Sequence, residues 1–334
     1  MDPFTHGLAG AAASQSFADK DKIKAASFAG FVSALLADLD TFIFSSSDPL
    51  LNVEIHRQLT HSIIVIPLGA LIAALLVYYF LRKYLSIKEI YLFSLAGYAT
   101  SGILDSFTSY GTQLLWPFTV TRFSWNLISV VDPIFTIGLF VLIVTAVVKK
   151  DKNYARIAGI WVFLILINGF IQKERAESAI LSLSEERNHL AERIVAKPTI
   201  GNQILWRVNY IYNNTVYTDA VRTGLFSSVL IYEGSSSPLR IPESDYSHLK
   251  GTVLYNDILR FSHLSEGYLV IHPDNPLVLG DARYSMLPTD LIPLWGIEVD
   301  TSKTTKHAPF LYFRDAGSEI REPFKKMLLG RSLD

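Results

Sequence analysis

The first half of the chain alternates long apolar runs with short polar ones. Residues 62–81 (SIIVIPLGALIAALLVYYFL) carry no charge over about 20 residues, the length a helix needs to cross a hydrocarbon core. Residues 127–148 are similar, with one acid, Asp132, near the start. Three further runs, 25–44, 90–104 and 157–171, are shorter or less pure. Charge stays out of their centres, as the cost of burying it in lipid requires. Residues 4–17 are rich in small side chains, which let helices approach closely. After residue 171 a charged stretch gives way to alternation of period two. Strand candidates there are 206–212, Thr215–Arg222, 225–232, 269–271, 277–279 and 310–313, with a turn at Asn213 and Asn214 and a loop at 235–237. The pattern predicts an α-helical polytopic membrane domain of about five or six segments. It would occupy residues 1–171, followed by a charged connecting helix over 172–197 and a small antiparallel β extracytoplasmic domain over 198–334.

Composition agrees with a membrane protein. Mean hydropathy is +0.28 and only 18% of residues are charged, low for a soluble chain of this size. With 30 basic and 31 acidic residues there is no bulk attraction to nucleic acid. The absence of cysteine excludes disulfides and thiolate metal sites. No cleavable signal peptide is expected, because residues 1–10 lack a basic stretch followed by an apolar run.

Basic residues set an expected orientation. Lys20, Lys22 and Lys24, then Arg82, Lys83 and Lys88, then Lys149, Lys150, Lys152 and Arg156 fall on alternate connections that share one side, the cytoplasm. The opposite connections carry only Arg57 and Arg122. The C-terminal domain then lies outside, in a bacterial or archaeal cytoplasmic membrane. On that outer side gather Asp38 and Asp40 at the end of the first long span, His56 and His61 in HRQLTHS, Asp105 ending the third span and Asp132 opening the fourth. His6 joins them if the short 4–17 segment enters from outside. Asp38, Asp40 and Asp105 sit near C-terminal helix ends, where a carboxylate is disfavoured by up to ~1 kcal/mol, so a compensating cation is implied. Imidazole and oxygen ligands without sulfur suit a divalent metal, Zn²⁺ or Mn²⁺ before Ca²⁺. Asp132 precedes Pro133 and reads equally as a helix cap, and Asp2 and Asp48 before proline read chiefly as caps. The remaining histidines, His189, His248, His263, His272 and His307, show no ligand spacing.

Five ordered blocks resemble the YdjM/YbcI-like family of membrane-bound metal-dependent hydrolases. They are MDPFTHGLAG (1–10), ADLD (37–40), HRQLTHS (56–62), ILDSFTSYGTQLLWPF (103–118) and VVDPIF (130–135). Pro198, Asn202, Trp206 and Arg207, and GDARY (280–284), extend the likeness less specifically. The resemblance implies a hydrolase, with His6, Asp40, His56, His61 and Asp105 as metal ligands before Asp38 and Asp132. Asp40, His61 and Asp105 would serve catalysis; independently of the resemblance, Arg57 and Arg122, as the cations of the two outer connections, would either hold an anionic group such as a phosphate or pair with interfacial acids or lipid headgroups. Two positions depart from the family pattern: Ser101 stands where a histidine is common, and Ala37 where a proline is.

The expected activity is hydrolysis at the outer membrane face of a phosphate ester or lipid-linked substrate, with membrane lipid as the partner. The alternative is a non-catalytic metal- or lipid-binding membrane protein whose β domain recruits a partner. A transporter is disfavoured because the acids cluster at one face and none lies mid-membrane.

Overall fold

The structure, a computed structural model, describes residues 1–224 and 228–333. It divides into two compact units. The first takes residues 1–43, 55–170 and 200–202; the second takes 44–54, 171–199 and 203 onward.

The first unit is helical. Its helices are α1 (Pro3–Gln15) and α2 (Ile23–Ala37), which ends in a 3₁₀ turn, Asp38–Phe42. A short helix, α3 (Pro49–Ile55), belongs to the second unit up to residue 54; the first unit resumes with α4 (Ile66–Leu81), α5 (Ile87–Ser106), α6 (Pro133–Lys149) and the beginning of α7 (Asn153–Glu186). Helix starts follow from sequence. Asp2 accepts the Thr5 amide at 3.0 Å with Pro3 in the first turn, and Ser86 and Glu89 close a capping box on α5. Asp132 accepts the Phe135 amide at 3.0 Å ahead of Pro133. The apolar run 127–148 is therefore helical only from Pro133, because the Asp–Pro pair is itself a start signal.

Among the described residues, Ile23–Phe42, Ile63–Leu81 and Asn153–Glu186 are long and apolar enough to cross a membrane, and Pro133–Lys149 is a shorter apolar helix. Their outward faces leave large apolar side chains uncovered: Leu68, Leu71, Leu75 and Tyr79 on α4, and Ile134, Ile137, Val141 and Val148 on α6. A water-facing surface does not carry apolar area on this scale, so lipid is the solvent for these faces. Inside the unit, small residues hold α1, α2 and α5 close. A methyl group at Gly30 would lie 2.2 Å from the Gly10 carbonyl oxygen, and one at Gly97 2.4 Å from that of Gly30.

The second unit carries two four-stranded antiparallel sheets. One orders β1 (Arg193–Pro198), β2 (Leu205–Tyr212), β3 (Thr215–Arg222) and β4 (Leu230–Pro238). Asn213 and Asn214 both adopt positive φ in the β2–β3 hairpin, as a two-residue turn of this kind demands. Beyond the sheet come α8 (Pro242–Asp245) and α9 (Val253–Leu264). The other sheet orders β5 (Leu269–His272), β6 (Asn275–Asp281), β7 (Trp295–Glu298) and β8 (Phe310–Tyr312), and α10 (Ser318–Leu328) closes the chain. The charged stretch expected as helix over 172–197 is helical only to Glu186, and its end is strand β1. The strand expected at 225–232 lies at Leu230–Pro238, while residues 225–227 fall outside the described residues. Residues 235–237 are part of β4 rather than a loop, with Ser236 opposite Tyr217 and Ser237 opposite Val216.

The two tail motifs meet in this unit. Buried Arg207 donates from Nε and Nη2 to the Ala282 carbonyl at 3.2 and 2.7 Å, and from Nη1 to that of Pro288 at 2.9 Å. Arg283 pairs with Asp281 at 2.8 Å and Glu266 at 2.6 Å. Their arginines thus satisfy backbone and acids between the sheets, a structural task.

Candidate metal centre

Three helix ends of the first unit bring the polar residues together. α1 presents His6 one turn after its cap, the 3₁₀ turn after α2 presents Asp38 and Asp40, and the last turn of α5 presents Asp105. A second 3₁₀ turn, Leu59–His61, supplies His61 just before α4. His6, Asp105 and His61 are buried, and Asp38 is nearly so.

The geometry is reciprocal. His6 Nε2 lies 3.1 Å from Asp105 Oδ1 and 3.9 Å from Asp38 Oδ2. His61 Nε2 lies 3.3 Å from Asp38 Oδ1 and 3.2 Å from Asp105 Oδ2. Each carboxylate thus turns one oxygen to one imidazole and the other oxygen to the other. His6, Asp38 and Asp105 each offer a ligand atom within 4.8 Å of the other two. Several of these buried atoms make no hydrogen bond: Asp38 Oδ2, Asp105 Oδ2 and His61 Nε2. His61 Nε2 lies 3.2 Å from Asp105 Oδ2 without a hydrogen bond, and Asp38 Oδ2 lies 3.9 Å from His6 Nε2, so these atoms converge without satisfying one another. The donor set, imidazole nitrogen with carboxylate oxygen and no sulfur, fits a borderline divalent cation such as Zn²⁺ or Mn²⁺.

Asp40 does something different from what its sequence position implies. Its oxygens accept the His56 Nδ1 proton at 2.8 Å, the Arg57 amide at 2.8 Å and the Thr60 hydroxyl at 2.6 Å. It stands behind His61, 3.5 Å from Nδ1, while Nε2 faces the converging oxygens. A carboxylate on the far nitrogen is what orients a metal-binding imidazole. Arg57 has φ +61°, which aims its amide at Asp40. Burial works to lower the His61 pKa, but the surrounding carboxylates of Asp105, Asp38 and Asp40 outweigh it and push it up to about 10. A cation entering here therefore displaces a proton.

The other expected residues separate. His56 is a third exposed, its ring 6.3 Å from that of His61, at the accessible edge of the cluster. Arg57 is buried, with Nε 2.9 Å from Asp105 Oδ2 and Nη1 donating to the Thr108 hydroxyl at 3.2 Å. The amino group of Met1 also contacts Asp105. Arg122 donates to the His56 carbonyl at 3.0 Å. Asp132 caps α6 and does not join the converging groups. Ser101 is buried and donates to the Ala34 carbonyl at 2.9 Å, so it is a tie between α5 and α2.

A sequence model described as YdjM inner membrane protein matches residues 1–176, slightly more than half of the 334-residue chain. The chain belongs to the YdjM family. The matched stretch contains every residue of the converging cluster, so the cluster lies in the part this YdjM-family chain shares with its relatives. Membership and the apolar helices together make it a membrane protein. No curated protein and no solved structure matches the chain.

A second His–Asp cluster was not foreseen. Asp48, Asp257 and His307 offer ligand atoms within 4.8 Å of one another in the second unit. His307 Nδ1 lies 3.0 Å from Asp257 Oδ2 and 3.8 Å from Asp48. Arg260 pairs with all the acids there, at 2.8 Å from Asp257, 3.0 Å from Asp48 and 2.6 Å from Glu54. Three segments so far apart in sequence give no spacing signal.

Proposed function

We propose that this protein is a membrane-bound, metal-dependent hydrolase whose cluster lies at headgroup level on the outer membrane face. Its substrate would be a phosphate ester or lipid-linked phosphate. The observation that carries the reading is the reciprocal arrangement of two imidazoles and two carboxylates with unsatisfied buried atoms. His6, Asp38, His61 and Asp105 would hold the metal, and Asp40 would fix the His61 tautomer. A bound divalent metal supplies a water of lowered pKa, from about 15.7 towards ~7. His56, held by Asp40 through Nδ1 and partly exposed, would exchange a proton at Nε2 with water or a leaving group. Arg57 limits the charge of the cluster against Asp105, and Arg122 at the rim is placed to meet an anionic group. The reading includes about five or six membrane segments, counting α1 as a short re-entrant one. It also places the basic connections in the cytoplasm and the β domain outside.

The non-catalytic alternative draws on one observation: the protein's own guanidinium, Arg57, already sits on Asp105. Elemental analysis of the purified chain, then a screen of phospholipid and lipid phosphomonoesters with and without chelator, decides between them. Metal at about one or two equivalents with chelator-sensitive phosphate release is expected, as one-metal and two-metal hydrolytic sites allow. Stoichiometric metal with no turnover of any ester would favour the binding protein, and absence of metal would remove the hydrolase and leave only a lipid-binding protein.

A further inference from the structure

Away from the cluster, the helical unit contains a cavity of about 360 Å³. Its floor is α1, through Ala9, Ala12, Ala13 and Ser16, and its walls are α5, through Ala99 to Phe107, and the start of α7. The cause is in the sequence. Apart from the Ser16 hydroxyl at its end, α1 offers only methyl groups along this face, so the walls meet no side chain long enough to fill the space between them. Gly159 lines the same cavity, and a methyl group there would touch nothing within 4 Å. From Ala9 to Ser16 the groove runs about 11 Å along α1 at 1.5 Å per residue.

Its lining is apolar except at one end. There Arg156 stands, its Nε donating to the Ser16 carbonyl at 3.2 Å, which ties the guanidinium across the mouth. Among the described residues the terminal nitrogens of Arg156 have no partner. Lys149, Lys150 and Lys152 lie just before it in the chain. An apolar channel ending under a cation matches an amphiphile with a long hydrocarbon chain and an anionic head. A cavity open to lipid and lined by methyl groups does not stay empty in a bilayer.

We infer that this groove is a binding site for an anionic phospholipid, with one acyl chain laid along α1 and the phosphate on Arg156. The site is separate from the His–Asp cluster, and its occupancy requires no hydrolysis. Because α1 also carries His6 one turn beyond Ala9, the seated chain supports the helix that presents a metal ligand.

The test uses the full chain in phosphatidylcholine vesicles containing a small fraction of phosphatidylglycerol with a photoactivatable acyl chain. Phosphatidylcholine bearing the same chain is the comparison probe, and adducts are mapped by peptide mass. Adducts are expected on residues 9–16, 99–107 and 155–162, with phosphatidylglycerol favoured about five-fold, as one arginine at a membrane surface provides. Gly159→Leu starts from a position where a Cβ meets nothing within 4 Å, so it places a branched side chain in the groove and should remove these adducts while leaving labelling of the outward face of α4 intact. Arg156→Gln should leave the groove open but equalise the two probes. Its unaltered groove keeps the test valid if Gly159→Leu melts early. Groove labelling unchanged in Gly159→Leu would overturn the site. Equal labelling by both probes in the wild type would overturn the anionic assignment.

Discussion

Among the described residues, two clusters of histidine and aspartate look alike in composition and differ in what completes them. Around Asp48, Asp257 and His307 every carboxylate has a partner: Arg260 spans Asp48, Glu54 and Asp257, and the Ala308 amide donates to Asp257 at 2.8 Å. Around His6, Asp38, His61 and Asp105 the Arg57 guanidinium and the Met1 amino group both meet Asp105, yet buried ring nitrogen and carboxylate oxygen remain without hydrogen bonds. The difference teaches how to tell a site from a staple. Proximity of ligand-type atoms is common to both, and unsatisfied buried atoms are what single out the first as the proposed metal site.

The comparison breaks most sharply with His61→Ala. Metal affinity should fall by more than about 100-fold, beyond the range for losing a supporting partner. Asp257→Asn should leave metal content unchanged and lower the unfolding temperature. Equal metal in wild type and His61→Ala would put the two clusters in one class. Asp40→Asn sharpens the assignment inside the first cluster. It keeps the shape but weakens the hold on His61, so affinity should drop about 10- to 100-fold with stoichiometry unchanged. A lost equivalent of metal would instead make Asp40 a direct ligand.

Arg260→Met tests the staple. Leaving Asp48, Glu54 and Asp257 without their shared cation should cost about 2 kcal/mol in denaturant unfolding of the full chain. Added Zn²⁺ should raise the melting temperature of this variant through the second cluster and not that of the wild type. The smallest effect is on acid stability. Burial works to raise the Asp48 carboxyl, but the Arg260 hydrogen bond and charge, helped by His307, hold it below its ordinary 3.8. A lowered carboxyl stabilises the fold above the unfolded pKa and loses that contribution as pH falls through the folded one. Wild type should therefore lose stability on acidification below about pH 4, and Arg260→Met should show a flatter slope there.

Much of the first cluster was readable because lipid makes polarity conspicuous. His6, Asp38, His61 and Asp105 stood out as exceptions beside apolar runs, and the basic-residue pattern placed them on one side without using them. What sequence could not supply was direction. Asp38 and Asp40 differ by two residues on a 3₁₀ turn, and that turn decides which faces the cluster and which backs His61. Asp132 was ambiguous for the same reason, since capping a backbone and facing a cluster use the same side chain. In the second unit the hairpin at Asn213 and Asn214 was plain from turn chemistry. β1 was hidden behind a charged helix, and α9 was overlooked although Leu254, Ile258 and Phe261 repeat at helical spacing and are buried. The second cluster had no signature at all, because three distant segments build it.

That last construction has a consequence in time. Glu54 and Arg260 are 206 residues apart, and Leu50 is buried among Leu254, Ile258 and Phe261. The residues of the first cluster, by contrast, have all left the ribosome once residue 105 has. At about 5 to 20 residues per second, residues 44–54 wait roughly 10 to 40 s for their partners. During that interval Leu50 and Glu54 lack the apolar and cationic surfaces that bury and pair them in the finished fold, so this segment is the last part of the N-terminal half to gain its native contacts.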